Sequence, residues 1–349
     1  MAPIRLLILG TGAMAGSHAS AFKQIPGVTL VAGVDVSQDR LDVFATAHGL
    51  EKTFTSLDDA IAWGQFDAAA NVTPDPIHHP TTMKLLAAGK HVFCEKPLAE
   101  SYPLAKDMAD AAEKAGLINM VNLTYRNVPQ LQKAKSLIAD GAIGEVRHVE
   151  ASYRQSWLVS NAWGDWRSLD MWLWRLSEAH GSKGVLGDVG IHILDFTTYA
   201  TGLDIASLQA RLKTFHKAEG DKIGKYTLDA NDSAMLSVEF GNGALGVIHA
   251  SRFMTGYANT LKLQVFGTLG ALELDHGHAT TNLRLCNGAN VHIAAWQDVV
   301  CDAGPSNYAK FIQAIRSGTP DTPDFRHAAN LQKILDACFT AGAQQGVEI

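Results

Sequence analysis

Two short clusters carry residue types able to move a proton. The first is Glu95-Lys96-Pro97, at the end of the apolar run from His91 to Cys94. A lysine there can orient a substrate hydroxyl and share a proton with it. Pro97 restricts Lys96 to extended backbone. The second is Gly187-Asp188-Val189-Gly190-Ile191-His192-Ile193-Leu194-Asp195. At helical spacing Asp188 and His192 share one face, with Asp195 close to it. A histidine titrates near neutral pH and can serve as a general base, with a carboxylate to orient it or the substrate. Gly187 and Gly190 cost roughly 1 kcal/mol each against alanine in a helix. Their missing side chains suit a place where a cofactor or substrate comes close. Each cluster also has a plainer reading. One is a surface Glu-Lys pair opening a loop; the other is a capped helix with a satisfied histidine. A metal site is the weakest reading, because two carboxylates and one histidine lack further ligands, and no metal is expected.

A third stretch says what such groups would act with. Ile4 to Leu9 is an apolar run of strand length, followed by Gly10-Thr11-Gly12-Ala13-Met14-Ala15 and a helical pattern through Phe22. A second strand, Thr29 to Val34, ends on Asp35. This is the order of a βαβ dinucleotide-binding unit. Gly10 allows the tight turn. Gly12 lets backbone approach a pyrophosphate at the helix N-terminus, flanked by Thr11, Ala13 and Met14. Ala15 in the third position still permits close helix–strand packing. Asp35, with Val36 beside it, is placed to accept hydrogen bonds from an adenosine ribose. That favours NAD, since a 2′-phosphate beside a carboxylate is repelled, while Arg40 leaves NADP open.

The elements that position these residues follow from the alternation of patterns. After Asp35 the chain reads helix Gln38–His48, strand Glu51–Phe54, helix Leu57–Trp63 and strand Ala68–Val72, then a turn over Thr73-Pro74-Asp75-Pro76-Ile77-His78. Helix Thr81–Ala88, strand His91–Cys94, helix Tyr102–Lys114 and strand Ile118–Leu123 complete the series. Short strands alternating with helices imply a doubly wound parallel sheet covered on both faces. Ligands bind beyond the carboxyl ends of such strands, so Gly10, Asp35, Thr73, Glu95 and Asn122 are expected on one rim. The pattern then changes. Trp157 to Arg175 holds five of the seven tryptophans in a probable loop, either a binding wall or aromatic anchors of a packed loop. Helix Val185–Tyr199 is followed by strands Ser207–Lys213, Ser233–Phe240, Ala244–Ser251, Leu261–Phe266 and Ala271–Leu274, with Gly241-Asn242-Gly243 as a hairpin turn. Helices Tyr308–Arg316 and His327–Ala341 close the chain. The expectation is an α/β Rossmann domain over 1–123, then an α+β domain over 124–349 with a large, mostly antiparallel open sheet.

Composition agrees with an enzyme of this kind. The chain has 349 residues, 47% of them hydrophobic, enough for two substantial cores. A net charge of −6 without a basic stripe argues against nucleic acid. Cys94, Cys286, Cys301 and Cys338 are scattered and fit reduced thiols in a cytoplasmic protein. The apolar run after Met1 is too short for a signal peptide, and no stretch approaches membrane-spanning length.

With these three stretches the chain resembles the Gfo/Idh/MocA family of NAD(P)-dependent oxidoreductases. The resemblance rests on Gly10-x-Gly12-x-x-Ala15-x-x-His18, Thr73-Pro74 with His78, Glu95-Lys96-Pro97, Arg126-x-x-Pro129, Gly187-Asp188-x-Gly190-x-His192-x-x-Asp195 and Phe266-Gly267-Thr268-x-Gly270. Ala15 and Thr124 depart from the commonest family residues. The resemblance implies that Lys96, Asp188 and His192 form the catalytic set, with His192 the proton acceptor. It implies that Thr73, Pro74, His78, Glu95, Lys96 and Asn122 face the cofactor. Trp174-Arg175 looks like a pair that contacts the dinucleotide in some relatives, and Tyr308 is expected to do likewise. The activity implied is hydride transfer between NAD, or NADP, and a sugar, polyol or anhydrosugar. A glycoside hydrolase using transient oxidation and an inactive sugar sensor are the alternatives. The open sheet implies a homodimer or homotetramer.

Overall fold

The computed structural model describes residues 3–278 and 280–342. Their contacts divide the chain into two compact units. One comprises the residues up to Thr124 together with Pro305–Lys333; the other comprises Tyr125–Gly304 and the residues from Ile334.

The first unit holds six parallel strands, β1 (Ile4–Leu9), β2 (Val28–Val34), β3 (Lys52–Phe54), β4 (Ala68–Asn71), β5 (His91–Cys94) and β6 (Asn119–Val121). They lie in the order β3-β2-β1-β4-β5-β6. Helices α1 (Ala15–Lys23), α2 (Gln38–His48), α3 (Leu57–Trp63), α4 (Asp75–Ala87) and α5 (Tyr102–Ala115) connect them. The strands are short and apolar because both faces are covered: Leu6, Leu7, Ile8, Val92 and Phe93 are fully buried. The order reverses between β1 and β4, which is where a dinucleotide sits in folds of this topology.

Two features differ from the sequence expectation. The stretch from Thr73 to His78 reads as a turn, but α4 already begins at Asp75. Pro76 is tolerated in the first turn, where an amide hydrogen has no helical acceptor. The segment Pro305–Lys333, expected in the second domain, belongs to the first unit. Its helix Asn307–Ser317 is amphipathic and buries Phe311, Ile312 and Ala314 in the same cluster as Phe22 and Phe93. That apolar face has a ready partner in α1 and β5.

The second unit begins with α6 (Pro129–Ala139) and β7 (Val146–Gln155), followed by the tryptophan-bearing segment with a short helix, α7 (Asp170–Leu173). A π-helical turn, Leu186–Gly190, leads into α8 (Ile191–Thr201). Then come β8 (Ile205–Lys213), the short pair β9 (Lys222–Ile223) and β10 (Tyr226–Thr227), β11 (Ser233–Phe240), β12 (Leu245–Ser251), β13 (Asn259–Gly267), β14 (Gly270–His276), β15 (Thr281–Asn287) and β16 (Gln297–Asp298). The large sheet runs β16-β15-β14-β13-β7-β12-β11-β8. Among the described residues of this sheet, only β7 and β12 pair in parallel, Ile248 opposite Ala151. Alternation is clean in β11: Ala234, Leu236, Val238 and Phe240 point inward, while Met235 and Glu239 face solvent. The Gly241–Gly243 turn joins β11 to β12 with Glu239 opposite Leu245, as the hairpin signal predicts. Strands β15 and β16 carry no comparable signal, since their residues are largely polar.

Candidate active site

In the first unit, the turn after β1 is shaped as its glycines require. Gly10 has φ +86°, and a Cβ there would lie 2.8 Å from the Val72 carbonyl oxygen. Gly12 is different: a Cβ would meet nothing within 4 Å. Chain packing therefore does not demand glycine at 12, whereas close approach of a ligand would. Gly12, Ala13 and Met14 are exposed, and no side chain caps the N-terminus of α1. Ala15 is fully buried in the core under the turn. An uncapped helix end with an open glycine face suits a pyrophosphate.

Asp35 closes the turn from the end of β2. Its Oδ2 accepts from Thr11 N at 2.8 Å and Thr11 Oγ1 at 3.0 Å. Its Oδ1 accepts from Ser37 N at 2.9 Å and Arg40 Nη2 at 2.6 Å. Burial pushes the Asp35 pKa up, but Arg40, Thr11 and Ser37 outweigh it and bring it down to about 2. Arg40 is half exposed and Val36 projects almost wholly into solvent.

The rim beyond β4, β5 and β6 is a hydrogen-bonded set. Asn71 Oδ1 accepts from the Thr73 hydroxyl at 2.7 Å, and Asn71 Nδ2 donates to Thr82 Oγ1 at 3.0 Å. Pro74 is exposed beside them. Glu95 Oε1 accepts from His18 Nε2 at 2.7 Å and from Asn122 Nδ2 at 2.7 Å, while Oε2 accepts from Lys96 N at 3.0 Å. Burial raises the Glu95 pKa, but His18 and Asn122 reverse the shift, so Glu95 stays a carboxylate. Tyr308 Oη accepts from Asn122 at 3.1 Å, and its ring stacks on Phe93 at 5.0 Å. Burial, with Glu95 nearby, raises its pKa to about 12. Glu95, Asn122 and Tyr308 thus meet as one network. His78 is fully buried, with its two ring nitrogens on the Pro97 and Thr73 carbonyl oxygens.

In the second unit, Asp188 lies in the π-helical turn and His192 opens α8. A regular α-helix from Val185 is the sequence expectation; the wider turn is a feature often found at functional sites. The carboxylate of Asp188 sits 3.3 Å from Arg252 Nη2 and 3.8 Å from Arg175 Nε. Arg252 is fully buried, donates to the Arg175 carbonyl at 3.1 Å and lies over the Trp157 ring at 4.8 Å. Burial lowers its pKa, opposed by Asp188 and Asp232. His192 is buried with its ring edge-on to Tyr125 at 5.0 Å. Tyr125 and Tyr153 share a hydroxyl hydrogen bond of 2.5 Å, and Asn259 Nδ2 donates to Tyr125 Oη at 3.1 Å.

The structure adds to two expectations about this cluster. Asp195 is committed to a buried bidentate pair with Arg126, at 2.6 Å and 2.9 Å. The glycines also leave room within the chain itself. A Cβ at Gly187 would lie 2.3 Å from Lys183 Cβ, and one at Gly190 2.7 Å from Leu186 Cδ1. Gly184, at φ +67°, lets Asn231 cap the turn, its carbonyl accepting from Val185 N at 2.8 Å. Most of the tryptophans are anchors: Trp157 and Trp166 are buried with Leu173 and Leu176, and Trp163 stacks on Trp172. Trp174 is exposed, with the Arg175 guanidinium 4.6 Å from its ring centre.

Sequence spacing did not reveal Arg252, Asn231, Tyr153 or Asn259, because each comes from a distant strand or loop. Among the described residues, no group of three or more His, Cys, Asp or Glu is placed to hold a metal ion. Nor is any described helix long and apolar enough to cross a membrane.

Comparison with known proteins adds three kinds of likeness. Residues 4–123 match the model of an oxidoreductase family with an NAD-binding Rossmann fold, and residues 131–273 match the GFO/IDH/MocA C-terminal domain. A levoglucosan dehydrogenase of Pseudarthrobacter phenanthrenivorans is 29% identical over 218 residues, 58% of this chain and 54% of that one. The chain thus spans about half the length of that relative. The scyllo-inositol 2-dehydrogenase (NAD(+)) of Bacillus subtilis is 26% identical over 335 residues, 94% of this chain and 91% of its own. A structure of levoglucosan dehydrogenase with NADH and L-sorbose superposes with a TM-score of 0.86 at 23% identity, covering 98% of this chain and 97% of that one, which shows the shared fold.

Proposed function

The chain belongs to the GFO/IDH/MocA family of NAD-binding oxidoreductases, and from that premise we propose that it moves a hydride between NAD and a carbinol or carbonyl carbon of a sugar, polyol or anhydrosugar. NAD, when bound, supplies the hydride acceptor or donor in its nicotinamide ring. Gly10, Thr11, Gly12, Ala13 and Met14 hold its pyrophosphate. Asp35, Val36 and Arg40 meet the adenosine ribose. Thr73, Pro74, Glu95, Lys96, Asn122, Trp174, Arg175 and Tyr308 complete the cofactor set.

The observation that carries the reading is the carboxylate of Asp188, fixed by Arg175 and Arg252, four residues before buried His192. In the oxidation direction His192 takes the hydroxyl proton, and Asp188 orients it or the substrate. Lys96 stabilises the alkoxide that develops, an effect worth a few kcal/mol. The names of the relatives, a levoglucosan dehydrogenase and an inositol dehydrogenase, support a polyhydroxylated substrate.

The test is Lys96→Met and His192→Ala. Each should lower kcat by about a hundredfold or more, and in His192→Ala NADH binding, read by its fluorescence, should be retained. Full turnover in either variant rejects the assignment.

A further inference from the structure

Both ring nitrogens of His78 face backbone carbonyl oxygens at hydrogen-bond distance. Nδ1 is 2.8 Å from the Pro97 oxygen, and Nε2 is 2.8 Å from the Thr73 oxygen. A carbonyl oxygen only accepts, so each nitrogen must donate. A neutral imidazole has one N–H and would turn a bare lone pair toward the other oxygen. The residue is fully buried, so water does not resolve the mismatch.

We infer that His78 is held as an imidazolium that ties the segment after β5 to the segment after β4, and so is a positioning residue for Lys96. The inference rests on the role proposed above for Lys96, whose neighbour Pro97 is one of the two groups clamped. Thr73 is held from its other side by Asn71, and Asn71 by Thr81 and Thr82, so the imidazolium extends an ordered network rather than floating in it. Charge-assisted hydrogen bonds are roughly twice as strong as neutral ones, which suits a clamp on loops that must stay still.

The surroundings carry the charge. Asp75 in the first turn of α4 favours the protonated ring, as does Cys94 at the end of β5 when ionised. Glu95, Lys96 and Glu100 lie around Asp75, and His79, the next residue of α4, is engaged with Asp107 of α5. Burial alone would lower the His78 pKa; Cys94, Asp75 and the Pro97 carbonyl reverse that and raise it to about 10.

Two measurements test this. In protein labelled with nitrogen-15 at histidine, the His78 resonances, assigned by their loss in His78→Gln, should show two protonated ring nitrogens that do not titrate between about pH 6 and about pH 9. A single neutral tautomer at neutral pH overturns the inference, whatever the enzyme's activity. In His78→Gln, which keeps one donor group, kcat should fall by about tenfold to a hundredfold, a larger change than in the NADH dissociation constant; equal changes in both would mean that the clamp serves cofactor binding and not Lys96. Wild-type kcat in that variant removes the positioning role. If Lys96→Met is also fully active, the failure lies with the proposed function; if Lys96→Met is inactive, it lies with the clamp.

Discussion

At the residue scale, charge placement is the recurring device. Asp35 illustrates how fully a carboxylate can be committed: its oxygens already accept from Thr11, Ser37 and Arg40. A ribose hydroxyl therefore competes with Arg40, the most exposed of these donors. Arg40→Ala should free Asp35, tighten NAD and weaken NADP, raising the NAD-to-NADP ratio of kcat/KM by about tenfold, the worth of one charge-assisted hydrogen bond. An unchanged ratio in a two-cofactor assay would show that Arg40 does not govern the choice. His78 has a folded-state pKa near 10, above its ordinary 6.5. Its contribution to stability is complete below about pH 6.5 and is lost as pH rises toward about 10. The slope for one proton is at most about 1.4 kcal/mol per pH unit. Urea midpoints should fall over that window in the wild type and flatten in His78→Gln; equal slopes would contradict the shift.

At the scale of elements, the buried Arg126–Asp195 pair fixes the turn carrying Tyr125 to α8, which carries His192. Arg126→Met leaves Asp195 charged and buried, so it should cost about 3–5 kcal/mol in urea unfolding. A loss below about 1 kcal/mol would mean that the pair is solvated or replaceable. Gly190→Ala should cost about 1–3 kcal/mol, because its Cβ would press on Leu186 and approach Leu335 at 3.4 Å. Much of this scale was legible beforehand. The glycine turn, Asp35 and the strands β1 to β6 follow from local pattern, since each covered strand must be short and apolar. The hairpin at Gly241–Gly243 is equally local. What was not legible comes from contacts without local periodicity. The partners of Asp188 lie at 175 and 252, the cap of its turn at 231, and the role of Asp195 depends on Arg126. The packing reason for glycine at 187 and 190 is not legible in sequence either, because close packing and ligand approach both exclude a Cβ.

At the scale of the whole molecule, the reaction proposed above draws on residues of both units. The large sheet of the second unit leaves Met235, Leu245 and Val247 exposed on β11 and β12. The homodimer or homotetramer expected from the sequence is tested by light scattering, which should report two or four subunits; a monomer at micromolar concentration would contradict that. The measurement that bears most directly on the central claim is reduction of NAD by the intact protein across a panel of sugars, polyols and anhydrosugars, with His192→Ala alongside. The account predicts saturable NADH formation with at least one of them, lost in the variant while NADH still binds. Release of sugar without net NADH, or equal turnover in His192→Ala, would contradict it.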